Sequence, residues 1–299
     1  MQNKMSAEKK ATIVSSSVAF LLTILKLTVG IFSGSVAVLA SAIDSVLDLF
    51  VSVFNYFAIS NSEKPADEQF NYGRGKIEAL ASVIEGTIIT LSGLFLFYVA
   101  INKYITGEIS QYAQTSIIVM IVSLSITILL VLYLNKIAKD TNNMVIKADA
   151  LHYKTDIWAN LAVLVSLILV SISGNEIFDV IIGSLIAVYI IYSAYELIEE
   201  GLLVLLDSSL DEEVTSKIES IIKNEKDLND YHWLKTRTAG KNNFVDVHLV
   251  FDCIITLMAA HKVSDNIEDK IKQLDTTKDW IINIHLDPYD DSDLNEHTH

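Results

Sequence analysis

The chain has 299 residues, is 51% hydrophobic, and carries 37 Asp and Glu against 22 Lys and Arg, giving a net charge of −15 and a mean hydropathy of +0.40. That is too apolar for an ordinary soluble protein of this size, and the acidic balance argues against nucleic acid and for cations as partners. A single cysteine, Cys253, excludes an intrachain disulfide.

The N-terminal stretch is polar and basic, with Lys4, Lys9 and Lys10. The first apolar run is too long for a signal-peptide core and has no A-x-A-like exit, so no cleavable leader is expected. Apolar residues gather in runs of about 20, the length that crosses ~30 Å of hydrocarbon as a helix. Six spans are expected, at residues 11–32, 36–60, 79–102, 115–135, 147–172 and 177–199. Both prolines, Pro65 and Pro288, fall outside them. Lys4, Lys9 and Lys10 before span one, Lys64, Arg74 and Lys76 after span two, and Lys136 and Lys139 after span four stand against Lys103 alone on the other side. The positive-inside rule then puts both termini in the cytoplasm.

After Leu206 the pattern changes. "DSSLDEEVTSKIESIIKNE" begins a helix with acids in its first turn, favourable at the positive end of the helix dipole. "YHWLKTRTAG" and "NNFVDVHLVFD" read as two strands joined by a hairpin at Gly240-Lys241-Asn242. "MAAHKVSDNIEDKIKQL" is an amphipathic helix and "WIINIHLDP" a third strand ended by Pro288. The order αββαβ describes a small α+β unit. It is acidic: from Asp211 onward there are 19 acids and 10 Lys and Arg. The predicted division is a transmembrane domain over 1–207, a cytoplasmic metal-binding domain over 208–290 and a disordered tail over 291–299.

Within the apolar runs the acids are costly, each by about 2.5–3.5 kcal/mol on insertion scales. Asp44 and Asp48 in span two are four residues apart and share one helix face. A single intramembrane acid is satisfied by a hydrogen bond to a neighbouring helix; two on one face repel each other. Span five offers a complement, His152 and Asp156, again four apart. Two helices that each offer a pair of ligands at one level can enclose one cation tetrahedrally. Three carboxylates and one imidazole suit zinc, cadmium, ferrous iron or manganese, and the lack of thiolate or thioether disfavours Cu(I). Emptied of metal in a low dielectric, such a site takes up protons, because metal and protons compete for the same atoms. Exposed alternately to two sides, it exchanges metal for protons.

Four of the seven histidines fall in the α+β unit, His232, His248, His261 and His285, and Asp287 follows His285 at same-face strand spacing. Together they read as a metal site, binuclear with Asp287 bridging. His297 and His299 in the tail read as incidental.

The D-x-x-x-D pair of span two, H-x-x-x-D of span five, "PADEQFNYGRGKIEA" after span two, and "HWLKTRTAG" followed later by "HLDP" resemble the cation diffusion facilitator family, above all its bacterial zinc and ferrous-iron efflux branch, over about residues 10–290. The resemblance implies a membrane all-α fold, a six-transmembrane-helix bundle with a cytoplasmic ferredoxin-like αββαβ domain. It also implies a homodimeric proton-coupled antiporter in the bacterial inner membrane that exports divalent metal: zinc, with cadmium or ferrous iron as alternatives. By resemblance Asp44, Asp48, His152 and Asp156 form the transport site. His232, His248, His261, His285 and Asp287 form a binuclear zinc site at the cytoplasmic dimer interface. Lys76 and Asp207 form a charged pair where the two parts meet.

The chain departs from the relatives in two places. Their loop after span two carries a further metal site, an aspartate with two histidines; here Asp67 matches the aspartate, but Phe70 and Arg74 occupy the histidine positions, so this site is expected to be absent or very weak. Relatives often have glutamine where this chain has Glu85, which is expected to act as a protonated hydrogen-bond donor, or alternatively as a second proton carrier. Asp179 reads as a helix-start residue, and Lys26 as snorkelling to the outer interface. Other classes fit less well. Membrane-embedded prenyltransferases use aspartate motifs but have no need of H-x-x-x-D inside a span, a zinc protease needs an H-E-x-x-H that is missing, and a non-transporting sensor or regulatory subunit needs no complete intramembrane ligand set.

Overall fold

The computed structural model describes residues 5–33, 36–106, 114–173 and 177–290. The side chains of some further helix positions, Asp44 and Asp179 among them, lie outside the described residues, as does the whole 291–299 tail that reads as disordered. The chain divides into two compact units, Met1–Leu202 and Leu203–His299.

The first unit holds six long helices: α1 (Ala7–Ser33), α2 (Val36–Ser62), α3 (Lys76–Thr106), α4 (Gln114–Thr141), α5 (Met144–Ser173) and α6 (Ile177–Leu205). They run to between 27 and 31 residues, beyond the hydrophobic runs at most ends, because a helix continues past the hydrocarbon as long as its backbone remains paired. Among the described residues, four stretches are long and apolar enough to cross a membrane: Ala7–Val29, Lys76–Tyr98, Ile121–Thr141 and Val180–Leu205. The two helices that do not meet that measure, α2 and α5, are the ones bearing Asp44, Asp48, His152 and Asp156.

Helix α5 packs on α3 and α4 and also touches α1 and α2, which puts its polar stripe inside the bundle. Packing is tight where α2 ends and α5 begins. There Ala58, Ile59, Leu134, Val145, Ile146 and Tyr153 close into one buried cluster. Large apolar side chains such as Phe32, Phe50, Phe95, Leu129 and Leu185 are exposed, as expected of a surface solvated by lipid. Lys26 does not snorkel outward. Its Nζ donates to Ser45 Oγ of α2 at 2.7 Å, since a partner inside the bundle satisfies the ammonium without a long reach to headgroups.

Small residues set the α3–α6 seam. A Cβ placed on Gly86 would come 2.7 Å from Ile198 Cγ1, and one on Gly201 would come 2.7 Å from Val83 Cγ2 and 3.0 Å from the Ala79 carbonyl oxygen.

In the second unit, α7 (Glu212–Lys223), β1 (Asp230–Ala239), β2 (Asn242–Val250), α8 (Leu257–Lys272) and β3 (Asp279–Asp287) follow the αββαβ order. The sheet order is β1-β2-β3, with β1–β2 antiparallel and β2–β3 parallel across the α8 connection. Gly240 (φ 62°) and Lys241 make the two-residue hairpin, the positive φ explaining the glycine. Thr256 caps α8, its hydroxyl accepting from the Ala259 amide at 3.3 Å. Ile218 and Ile222 of α7, Val263, Ile267 and Ile271 of α8, and Val245, Val247 and Leu249 of β2 form the core.

Gly201→Ala is predicted to destabilise the helical unit by about 1–3 kcal/mol, because the backbone carbonyl it meets cannot move aside. A thermal unfolding scan in detergent checks this, and an unchanged midpoint contradicts the close seam.

Candidate metal centres

In the helical unit, α2 and α5 bring together ligand atoms of Asp48, His152 and Asp156, all within 4.8 Å of one another. His152 Nε2 lies 3.1 Å from Asp48 Oδ1. The level is fixed by a buried bond one turn further along α2, where the Ser52 and Tyr153 hydroxyls meet at 2.8 Å. Ligand atoms bound to one zinc at about 2.0 Å stand about 3.3 Å apart, so a bound ion would draw these side chains slightly inward. Asp44 sits one turn before Asp48 on the same continuous helix, but its side chain lies outside the described residues. Two carboxylates and an imidazole, with an acid one turn away, form a donor set for a borderline divalent cation.

In the second unit, register does the assembling. His232, His248 and His285 are direct cross-strand neighbours, forming one row over all three strands. Asp287, two residues beyond His285, is buried beside that row. One Asp287 oxygen, Oδ2, lies 2.9 Å from His248 Nδ1 and 3.4 Å from His232 Nε2, while Oδ1 lies 3.1 Å from His285 Nε2. Both carboxylate edges therefore face imidazoles, as a bridge between two ions requires. A bulge between His232 and Lys235, with Trp233 at φ 52°, sets the Trp233 ring edge-on to His232 and His248 at 4.9 and 4.7 Å. His261 is not brought to this cluster. It is exposed on α8, 3.7 Å from Asp265, because the helix face that buries Val263 and Ile267 turns it to solvent.

Of the other residues singled out from sequence, Lys76 opens α3 in the first unit and Asp207 lies in the second, where its Oδ1 is 3.4 Å from Arg237 Nη1. Glu85 is buried, and its Oε2 accepts from Asn55 Nδ2 at 3.0 Å.

The α2–α3 loop is closed by its own side chains. Asp67 Oδ1 accepts from the amides of Gln69 (3.0 Å) and Phe70 (2.8 Å), and Oδ2 accepts from Arg74 Nη2 at 2.5 Å. The Arg74 guanidinium also stacks over the Phe70 ring at 4.3 Å. The Phe70 amide above all, with the Gln69 amide and Arg74, holds the Asp67 carboxyl below its usual range. Both oxygens are engaged and a permanent cation already stands beside them. Zinc titration of Asp67→Ala is predicted to show the wild-type number of equivalents, and one lost equivalent contradicts this. A depressed value in the folded state means that the loop contact is present above the ordinary carboxylate range and is lost only as acid drives pH through the lower folded value. Proteolysis of the loop is predicted to be equal at pH 8 and pH 5 and faster at both in Arg74→Ala; loosening already at pH 5 contradicts it.

Comparison with known proteins finds a match for each of the two units. The family described as "Cation efflux transmembrane domain" matches residues 12–206, and "Cation efflux protein, cytoplasmic domain" matches residues 210–289. The cation-efflux pump FieF of Escherichia fergusonii is 34% identical over 279 residues, covering 93% of this chain and 92% of that protein. FieF of Citrobacter koseri is 33% identical with the same coverage, and FieF of Serratia proteamaculans is 32% identical over 280 residues, 94% of this chain and 92% of its own. Two matched domains and near-complete coverage by efflux pumps place the chain among membrane transporters rather than enzymes, and it belongs to the cation diffusion facilitator family.

Proposed function

We propose that the chain is a proton-coupled antiporter that exports a divalent transition metal, zinc foremost, with cadmium or ferrous iron as alternatives. The observation that supports this reading best is the intramembrane cluster of Asp48, His152 and Asp156. A set of two carboxylates and an imidazole inside a helix bundle is costly unless it holds a cation, and it has no use in a protein that only binds lipid. Asp44 completes the set as the fourth ligand. Metal enters from the cytoplasm and binds deprotonated ligands. It leaves to the outside as protons take the same atoms, since ligands must be deprotonated to hold metal. The Irving–Williams order places zinc above ferrous iron at any such site.

The remaining expectations belong to the same reading. All six long helices cross the inner membrane, with both termini cytoplasmic. The second unit is the cytoplasmic domain of a homodimer. In it His232, His248 and Asp287 would hold one zinc, and His285 with the other edge of Asp287 would begin a second. His261 would reach that second ion only from the other copy, which explains its exposure within one chain. Lys76 and Asp207 tie the domain to the membrane part. Metal in the cytoplasmic domain favours one conformation of the dimer and so biases transport.

The test is zinc flux in proteoliposomes with an imposed pH gradient. The proposal expects gradient-dependent flux in wild type, reduced at least about ten-fold in Asp48→Ala, since loss of a first ligand costs no less than loss of its supporting groups. Zinc binding without flux in wild type contradicts it and favours a sensor.

A further inference from the structure

Lys26 is the only basic residue in the apolar run 11–32 of α1. An ammonium inside a helix bundle is costly, and such a residue faces a partner or a polar path rather than lipid. Two contacts fix where this one goes. Lys26 Nζ donates to Ser45 Oγ of α2 at 2.7 Å. One turn earlier on α1, the Thr23 hydroxyl lies 2.9 Å from the Ser45 carbonyl oxygen and 2.8 Å from that of Ala19 in its own helix. Ser45 itself is buried, at 1% exposure.

The ammonium is thereby held at the level of the intramembrane cluster. Ser45 directly follows Asp44 and stands three residues before Asp48 on the continuous helix α2. Residues i and i+3 are neighbours on a helix surface, with Cβ atoms about 5–6 Å apart. A group in contact with Ser45 Oγ is therefore on the order of 5–10 Å from the Asp48 carboxylate. Asp48 Oδ1 in turn lies 3.1 Å from His152 Nε2, and Asp156 completes the cluster. Over that range, inside a bundle less polarisable than water, a unit charge changes an equilibrium constant by about ten-fold or more.

A metal ion arrives at this cluster and leaves it, whereas Lys26 is a cation that stays. Its charge attracts the acids when metal is absent and repels a divalent ion when one binds. Both effects weaken metal binding. A site built to keep its ion gains nothing from a fixed positive charge beside it, while a site that must release its ion does.

We propose that Lys26 is a tethered counter-ion of the intramembrane metal site, held at Ser45 so that its ammonium competes with the metal for the acids and keeps affinity low enough for release. This deepens the transport reading and rests on it. A merely structural tie between α1 and α2 needs only the hydrogen bond to Ser45, which a neutral donor also supplies.

The test is the zinc affinity of the full-length protein in detergent, measured by competition with a chromophoric chelator. The background carries His232→Ala, His248→Ala and His285→Ala, so that the cluster of the second unit does not contribute. Lys26→Gln keeps an N–H donor for Ser45 without the charge, Lys26→Met removes both, and Lys26→Arg keeps the charge. The two neutral variants are expected to bind zinc at least about ten-fold tighter than the background, with Lys26→Arg well short of that gain. Damage to packing lowers affinity and so moves the readout the other way. If Lys26→Met does not fold, Lys26→Gln against Lys26→Arg decides. Unchanged or weaker binding in Lys26→Gln overturns the proposal, as does a gain in Lys26→Arg equal to that in Lys26→Gln. A background that binds no zinc overturns the transport reading and the proposal with it.

Discussion

The constraint on which the helical unit turns is charge inside a low-dielectric bundle. A carboxylate surrounded by helices and lipid needs a cation or a network of donors, and the chain arranges its packing to supply both. Helix α5 touches α1 through α4, so every acid on its polar stripe faces protein. The Ser52–Tyr153 bond holds α2 and α5 at one relative height. Small residues let α6 approach α3 closely from the other side. The seam is thereby closely packed near residues 58–59 and 145–153, while bulky apolar side chains face outward. A bundle built this way changes shape by moving helices as bodies, since its interior is close-packed and resists continuous deformation.

The second unit solves a similar problem with different means. There the acid is outnumbered by imidazoles, and strand register rather than helical repeat sets the spacing. Three histidines in one cross-strand row, with Asp287 between their nitrogens, form a rigid cluster on a sheet backed by α7 and α8. Loop 67–74 shows the opposite choice. There a guanidinium is held by Asp67 and stacked on Phe70, so the carboxylate has a permanent cation from its own loop.

Much of this was legible in the sequence, and for identifiable reasons. The αββαβ order followed from amphipathic spacing, the glycine hairpin and alternation in β2. The first cluster followed from two i, i+4 pairs in apolar runs. Helix ends were not legible, because helices outrun the hydrocarbon that defines the hydropathy signal. Lys26 was misjudged since nothing in its own helix announces Ser45 across the interface. His261 could not be separated from the other histidines, because whether it joins them depends on which face of α8 the core takes. The hydrogen bonds of Asn55 to Glu85 and Asp149 were visible only in part: Glu85 stood out as an acid in a span, but Asn55 is an ordinary polar residue by composition. The usable signal was the seven-residue echo, Asp48 to Asn55 and Asp149 to Asp156, on the two helices that carry the first site.

A metal ion held inside the membrane part by Asp48, His152 and Asp156 is directly observable by zinc-edge X-ray absorption on the full-length protein, in a variant with His232, His248 and His285 replaced by alanine. Four oxygen and nitrogen neighbours at about 2.0–2.1 Å are expected, with multiple scattering from one imidazole that is lost on adding His152→Ala. A spectrum that keeps its imidazole after His152→Ala, or that shows only water-like oxygen neighbours before it, rules this site out.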